Sequence, residues 1–238
     1  MDTKKYPRTL HFPFSPGTHS DDRIASGAGG LVGAQIVITE KLDGENTCLT
    51  RHGVFARSHV LPTRNPWASY LKPFWECTRR DLGELEVFGE SVYAVHSIEY
   101  TGLEHHFFVF AVREGDRWLA WDDVAAYAGV LGLPTVPILF RGVVPGEAGL
   151  RSLVEDLARQ PSALSDAELG PSEREGVVAR VASSFDGDAF QDCVLKWVRR
   201  GHVRTDTFWA RNWRRAPLAR ERRAMRGLPV RQGDPDDA

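Results

Sequence analysis

A lysine that ends a β-branched run and enters a tight turn is placed for chemistry that arginine cannot perform. Gln35-Ile36-Val37-Ile38-Thr39 alternates as a strand does and delivers Glu40-Lys41-Leu42-Asp43-Gly44-Glu45-Asn46 into a turn built on Asp43-Gly44. Glycine at 44 would supply a backbone conformation that other residues resist. The lysines are only Lys4, Lys5, Lys41, Lys72 and Lys196; arginine supplies the remaining positive charge. Arginine stays protonated, whereas a lysine's pKa can be lowered until its amine attacks an electrophile. An exposed lysine beside a plain turn fits this heptapeptide equally well, so the decision falls to the rest of the chain.

Four further segments carry chemistry-capable residues in order: Arg57-Ser58, Phe88-Gly89-Glu90 with the aromatic run Phe107-Phe108-Val109-Phe110, Glu175-Gly176-Val177-Val178, and Leu195-Lys196-Trp197. Alternation places Phe108 and Phe110 on one strand face, available either as core or as a stacking surface for a base.

The elements that must position these residues can be read from periodicity. Strands are expected at 35–40, 46–51 and 53–57, the last two joined by His52-Gly53 as a hairpin, then at Leu85–Ser91, Phe107–Arg113, Val136–Phe140, Glu175–Val181 and Cys193–Val198. Helices are expected from Asn65-Pro66-Trp67 to Arg80, over Trp121–Leu131 and over Leu150–Gln160. Residues 1–34 read as an irregular lead-in in which Ser20-Asp21-Asp22-Arg23 could cap a short helix. Tyr93–Thr101 and Ser183–Asp188 read as loops, and His96, His105 and His106 lack metal-ligand spacing. Gly27, Gly29, Gly30 and Gly33 fit neither the P-loop nor the dinucleotide fingerprint.

Lys41-Leu42-Asp43-Gly44 resembles the nucleotidyl-lysine motif Lys-x-Asp-Gly of covalent nucleotidyltransferases, and the four later segments match the further motifs of that superfamily in order. Asn46 lies two residues beyond the motif glycine, where DNA ligases usually carry arginine, so the pattern is similar to the RNA ligase branch. The resemblance implies an α+β fold, an ATP-grasp-like nucleotidyltransferase domain of antiparallel sheets with flanking helices over residues 1–200. A short basic helical extension at 201–238 is then too small for the OB-fold of DNA ligases and capping enzymes. It implies an ATP-dependent RNA ligase that forms a lysyl-AMP intermediate on Lys41, adenylylates an RNA 5′-phosphate and seals it to a 3′-OH in RNA repair. A minimal DNA ligase, or a nucleotide- or RNA-binding protein on the same fold, is the alternative.

The roles implied follow the motifs. Lys41, Lys196 and Glu175 are catalytic; Glu40, Asn46, Arg57, Glu90, Phe110 and Phe108 join Lys41 and Lys196 in binding ATP. Glu175, Glu90 and Asp43 are the metal positions for Mg²⁺ or Mn²⁺, although Asp43 serves as readily to stabilise its turn. Arg57, Arg199, Arg200, Arg204 and Arg211 would grip RNA, and an end-healing kinase or phosphatase would prepare the ends. Two departures stand out. Lys196 lacks the second lysine often found in the fifth motif, with Arg199 or Arg200 as substitutes, and Ala111 follows the aromatic run where an acid is common.

Bulk properties agree with such an enzyme. The net charge of −2 hides an asymmetry: Lys196–Arg226 holds eleven basic residues against Asp206 and Glu221, and interleaves them with His202, Phe208, Trp209 and Trp213. Apolar residues make up 42% of the 238-residue chain, enough for a sizeable core. Cys48, Cys77 and Cys193 stand apart without metal or disulfide spacing, as in a reducing cytosol. No apolar run suggests a signal core or membrane span, so a soluble cytoplasmic protein is expected.

Overall fold

In the computed structural model, residues 5–18, 20, 22–57, 61–201 and 212–229 are described. They form two mostly antiparallel sheets with flanking helices, the α+β architecture expected. The first sheet has five strands in the order β1 (Leu10–His11), β11 (Val194–Val198), β9 (Gly176–Val181), β2 (Gln35–Lys41), β8 (Ile138–Val143). The second has six, in the order β10 (Phe185–Asp186), β7 (Arg117–Trp118), β6 (Phe107–Glu114), β5 (Leu85–Ser91), β3 (Glu45–Thr50), β4 (Gly53–Ala56).

Alternation along β2 separates two functions. Ile36 and Ile38 pack in the cluster that holds Leu150, Val154 and Leu157 of α3 (Glu147–Arg159), while Lys41, of opposite parity, faces a cavity. Register then sets the neighbours: Lys41 lies opposite Gly176, which places Glu175 beside it, and Lys196 lies opposite Val178. On the second sheet Asn46 lies opposite Glu90. The remaining helices are α1 (Leu71–Thr78), α2 (Trp121–Val130), the single-turn α4 (Phe190–Cys193) and α5 (Ala219–Met225). Among the described residues no helix is long and apolar enough to cross a membrane.

Four expectations change. The lead-in contributes β1, which runs parallel to β11 with His11 opposite Lys196; a two-residue strand is too short to show a period. Among the described residues from 20 to 28 there is no helix, and Asp22 pairs instead with His11 and Lys196. The helix expected from 65 to 80 is a 3₁₀ turn, Pro66–Ala68, followed by α1, and in the C-terminal extension only α5 is helical among the described residues. Pro217, just before Leu218, disfavours helix in the preceding residues.

The described part of that extension docks by ion pairs. Arg214 and Arg222 share Glu99, Arg215 chelates Glu221 at 2.9 Å through both terminal nitrogens, and Arg223 reaches buried Asp166 at 3.0 Å. Arg214, Arg222 and Arg223 thus hold the extension to the domain and Arg215 closes a pair within it, while Arg204 and Arg211 lie outside the described residues.

Candidate active site

A cavity of about 400 Å³, within the range of small-ligand sites, is lined from both sheets. Lys41, Asn46, Arg57, Glu90, Phe110 and Lys196 all line it. Lys41 is presented at the end of β2. Its Nζ donates to both carboxylate oxygens of Glu175, at 2.7 and 2.6 Å. Burial lowers the Lys41 pKa, but the carboxylates of Glu175, Glu90 and Asp43 together outweigh burial and hold it above the ordinary lysine value. The lysine is therefore an ammonium in the ligand-free protein, and the neutral amine that nucleophilic chemistry requires is not supplied by this ground state.

Lys196 is the opposite case. Burial, then the Lys41 charge, hold its pKa below the ordinary value, while Asp22, 3.8 Å from Nζ, pulls the other way. The two cations from β2 and β11 thus confront the same cavity, a focus for anionic oxygen.

Two glycines are required by space. A Cβ at Gly44 would strike the Ser91 carbonyl, and one at Gly176 would strike the Trp197 carbonyl. Gly44 does not have a left-handed φ, so the reason differs from the expected one: β3 and β5 approach too closely at the start of their pairing. Gly44→Ala should destabilise the fold by about 1–3 kcal/mol, measurable by urea unfolding.

Asp43 acts as an anchor. Its Oδ2 accepts from the Ser97 and Ile98 amides at 2.6 and 2.8 Å, and its own amide donates to the Tyr100 hydroxyl at 2.8 Å. Of the two roles open in the sequence, these bonds favour the turn-holding one. Glu90 accepts from the Gly44 amide at 3.1 Å, tying the second sheet to the turn. Among the described residues no three Asp, Glu, His or Cys side chains converge on a metal position. Glu175 and Glu90 therefore suit a hydrated divalent ion carried with phosphate rather than an all-protein cage.

Burial pushes the Glu90 pKa up to about 8, with Lys41 opposing it and Glu175 and Asp43 adding to it. A carboxyl whose folded pKa is raised binds its proton more tightly folded than unfolded. Stability from this group is fullest at low pH and falls as pH rises toward 8. Glu90→Gln should lose that dependence: between about pH 6 and about pH 9, wild-type unfolding free energy drops more than the variant's in urea titrations.

The other expected residues divide. Asn46 lines the site, and its buried Oδ1 has no hydrogen-bond partner among the described residues, an acceptor awaiting a donor. Phe110 lines the cavity; Phe108 is buried with Leu42, Ile98 and Tyr100 and does not. Glu40 lines the cavity, but its Oε2 is committed to the Ala163 amide at 2.7 Å and to Arg174 at 3.4 Å, away from Lys41 by strand parity. Arg199 pairs with Glu173 at 3.0 Å, Arg200 is exposed, and neither lines the cavity, so neither stands in for a second lysine of the fifth motif. Arg57 lines the exposed rim; Ser58 lies outside the described residues. Sequence reasoning missed Tyr6, Asp22, His96, Tyr100 and Trp118. Their loops and two-residue strands carry no period, and only proximity in the fold brings them to the site.

The fold and the lysine–carboxylate cavity define a nucleotidyltransferase-type domain. A family model described as RNA ligase matches residues 34–198, and the chain belongs to that family. Among solved structures, an archaeal ATP-dependent RNA ligase superposes with a TM-score of 0.52 at 21% identity, covering 83% of this chain and 48% of that one. The Naegleria gruberi RNA ligase with pyrophosphate gives 0.51 at 19% identity, covering 72% and 51%. The chain thus spans about half the length of both, and the likeness at these identities is one of fold. No curated protein sequence matches.

Proposed function

We propose that this protein is an ATP-dependent RNA ligase that works through a covalent lysyl-AMP on Lys41. The observation that carries the reading is the convergence of Lys41, Lys196, Glu90 and Phe110 on one cavity, with Glu175 bonded to Lys41, in a chain of the RNA ligase family. Lys41 releases its proton and attacks the α-phosphorus of ATP. A nitrogen–phosphorus bond forms as the bond to the bridging oxygen breaks, and pyrophosphate leaves with the electron pair. Lys196 faces the non-bridging oxygens as charge develops there. The AMP then passes to an RNA 5′-phosphate, and a 3′-hydroxyl displaces it to close the phosphodiester.

Glu175 holds Lys41 in place before the nucleotide arrives and, with Glu90, would hold Mg²⁺ or Mn²⁺ through retained water. When bound, that ion neutralises phosphate charge and disfavours the lysine ammonium. Phe110 offers a face for adenine, and Asn46 an acceptor for a ligand donor. Arg57 at the rim, with Arg199 and Arg200 near the end of β11, forms the approach for the RNA backbone. Arg204 and Arg211 belong to the same basic run. A role in cytoplasmic repair of broken RNA, with a kinase or phosphatase preparing the ends, follows from the same chemistry. Purified protein given ATP, Mg²⁺ and matched strands should join RNA carrying 5′-phosphate and 3′-OH ends. Joining of the DNA strands alone would move the assignment to a DNA ligase.

A further inference from the structure

Residues before 34 lie outside the family match, yet one stretch of them closes the cavity. Tyr6, Pro7, Arg8 and Thr9 all line it. The stretch is stitched to the strand that carries Lys196: Leu10 and His11 pair with Leu195 and Lys196, and the Phe12 amide donates to the Lys196 carbonyl at 2.8 Å. Further on, the Gly17 amide donates to the Val198 carbonyl at 2.9 Å, and the Ser15 hydroxyl accepts from the Val198 amide at 2.9 Å. Pro7 restricts Tyr6 to extended backbone, which limits the directions its ring can take.

The ring itself enters an aromatic box. Its centroid lies 5.1 Å from Phe110 at an interplanar angle of 82°, an edge-to-face contact. Trp118 and Phe190 meet it the same way, both with centroids at 5.2 Å, and Phe88 lies tilted at 5.3 Å. Phe110 is thus fixed in orientation by a residue that no motif of the sequence includes. Val178 and Val194 line the same cavity from β9 and β11.

We propose that Tyr6 is a positioning residue for the nucleotide base: its ring sets the plane of Phe110 and closes the base end of the cavity. This assignment depends on the reading of the cavity as a nucleotide site with Phe110 as its stacking surface. The hydroxyl has a smaller part, because the packing is made by the ring. An aromatic ring should therefore suffice at position 6, and an aliphatic side chain should not. The effect should be confined to ligands that carry a base.

Equilibrium titration calorimetry with AMP and, separately, ribose 5-phosphate tests this on full-length protein shown by mass to be free of adenylate. Tyr6→Phe should bind both ligands as wild type does. Tyr6→Leu should bind AMP roughly five- to tenfold more weakly while binding ribose 5-phosphate unchanged. Tyr6→Met, similarly apolar and unbranched, serves as the second variant should the leucine protein not fold. Undiminished AMP binding by the folded aliphatic variant, or an equal loss for both ligands, overturns the proposal. This base-dependent pattern among the variants, together with wild-type protein that gains no label from ATP, contradicts the ligase reading and leaves the role of Tyr6 supported.

Discussion

Lys41→Ala should reduce covalent label from α-labelled ATP by more than about 10⁴-fold, because no other amine occupies its position. Lys196 is the other lysine in the cavity, but it projects from β11 opposite Val178 and lies 3.8 Å from Asp22. On the proposed mechanism it serves as an electrostatic partner and should not inherit the role of nucleophile. The variant should nevertheless keep a substantial part of its ability to seal RNA supplied with a 5′-adenylate already attached. In that step the 3′-hydroxyl is the nucleophile and AMP is the leaving group. Loss of labelling with retention of that sealing separates a missing nucleophile from a collapsed site. Equal loss of both would assign Lys41 a structural role.

Glu175→Gln should have the second large effect, and it acts in two directions. With Glu175 neutral, the bidentate contact at 2.7 and 2.6 Å loses its charge, and the strongest influence raising the Lys41 pKa is gone. The amine of the variant should therefore deprotonate at lower pH. On the proposed mechanism the wild-type kcat/KM for self-adenylylation should rise with pH while Lys41 is an ammonium, and level off above its pKa. The plateau should begin at lower pH in the glutamine variant. Its height should still fall by roughly 10²–10³-fold, because the carboxylate that positions the lysine, and that would face metal-bound phosphate on the proposed mechanism, is gone. Measuring kcat/KM across pH for both proteins checks the two effects independently. A plateau unmoved in pH would mean that Glu175 does not govern Lys41.

Much of this site was legible before any fold was available, and the reason is spacing. The long strands β2, β5, β6 and β9 carry enough alternation to reveal themselves, and each presents its chemical residue at a strand end or on a fixed face. Lys41 could be singled out as a lysine ending a β-branched strand, whereas Glu90, Glu175 and Lys196 were named through the order of motifs that resembles the RNA ligase pattern. Parity along β2 was equally readable and puts Glu40 on the face away from Lys41; the motif alone placed it with the nucleotide. Phe108 and Phe110 share parity, so alternation could not separate them. Burial under Leu42 and Tyr100 does.

What escaped the sequence is made by tertiary contact. Asp43 holds the amides of Ser97 and Ile98, fifty-odd residues away, and a loop without periodicity gives no hint of that bond. The requirement for glycine at 44 comes from the carbonyl of Ser91 on another strand rather than from its own φ. Tyr6 and Asp22 sit in a lead-in whose two-residue strand is visible only once β11 is there to pair with it. The basic C-terminal run looked like one surface, yet Arg214, Arg215, Arg222 and Arg223 are taken up by Glu99, Glu221 and Asp166. Charge counting cannot distinguish a docking arginine from one left for RNA.

The central claim is a covalent bond between Lys41 and AMP. Wild-type protein incubated with Mg²⁺ and α-labelled ATP or, separately, α-labelled GTP, then denatured and mapped by peptide mass, tests it most directly. The account predicts label from ATP, removable by pyrophosphate, on the peptide containing Lys41. Label from GTP alone, label on any other residue, or no label on folded protein free of prior adenylate would contradict it.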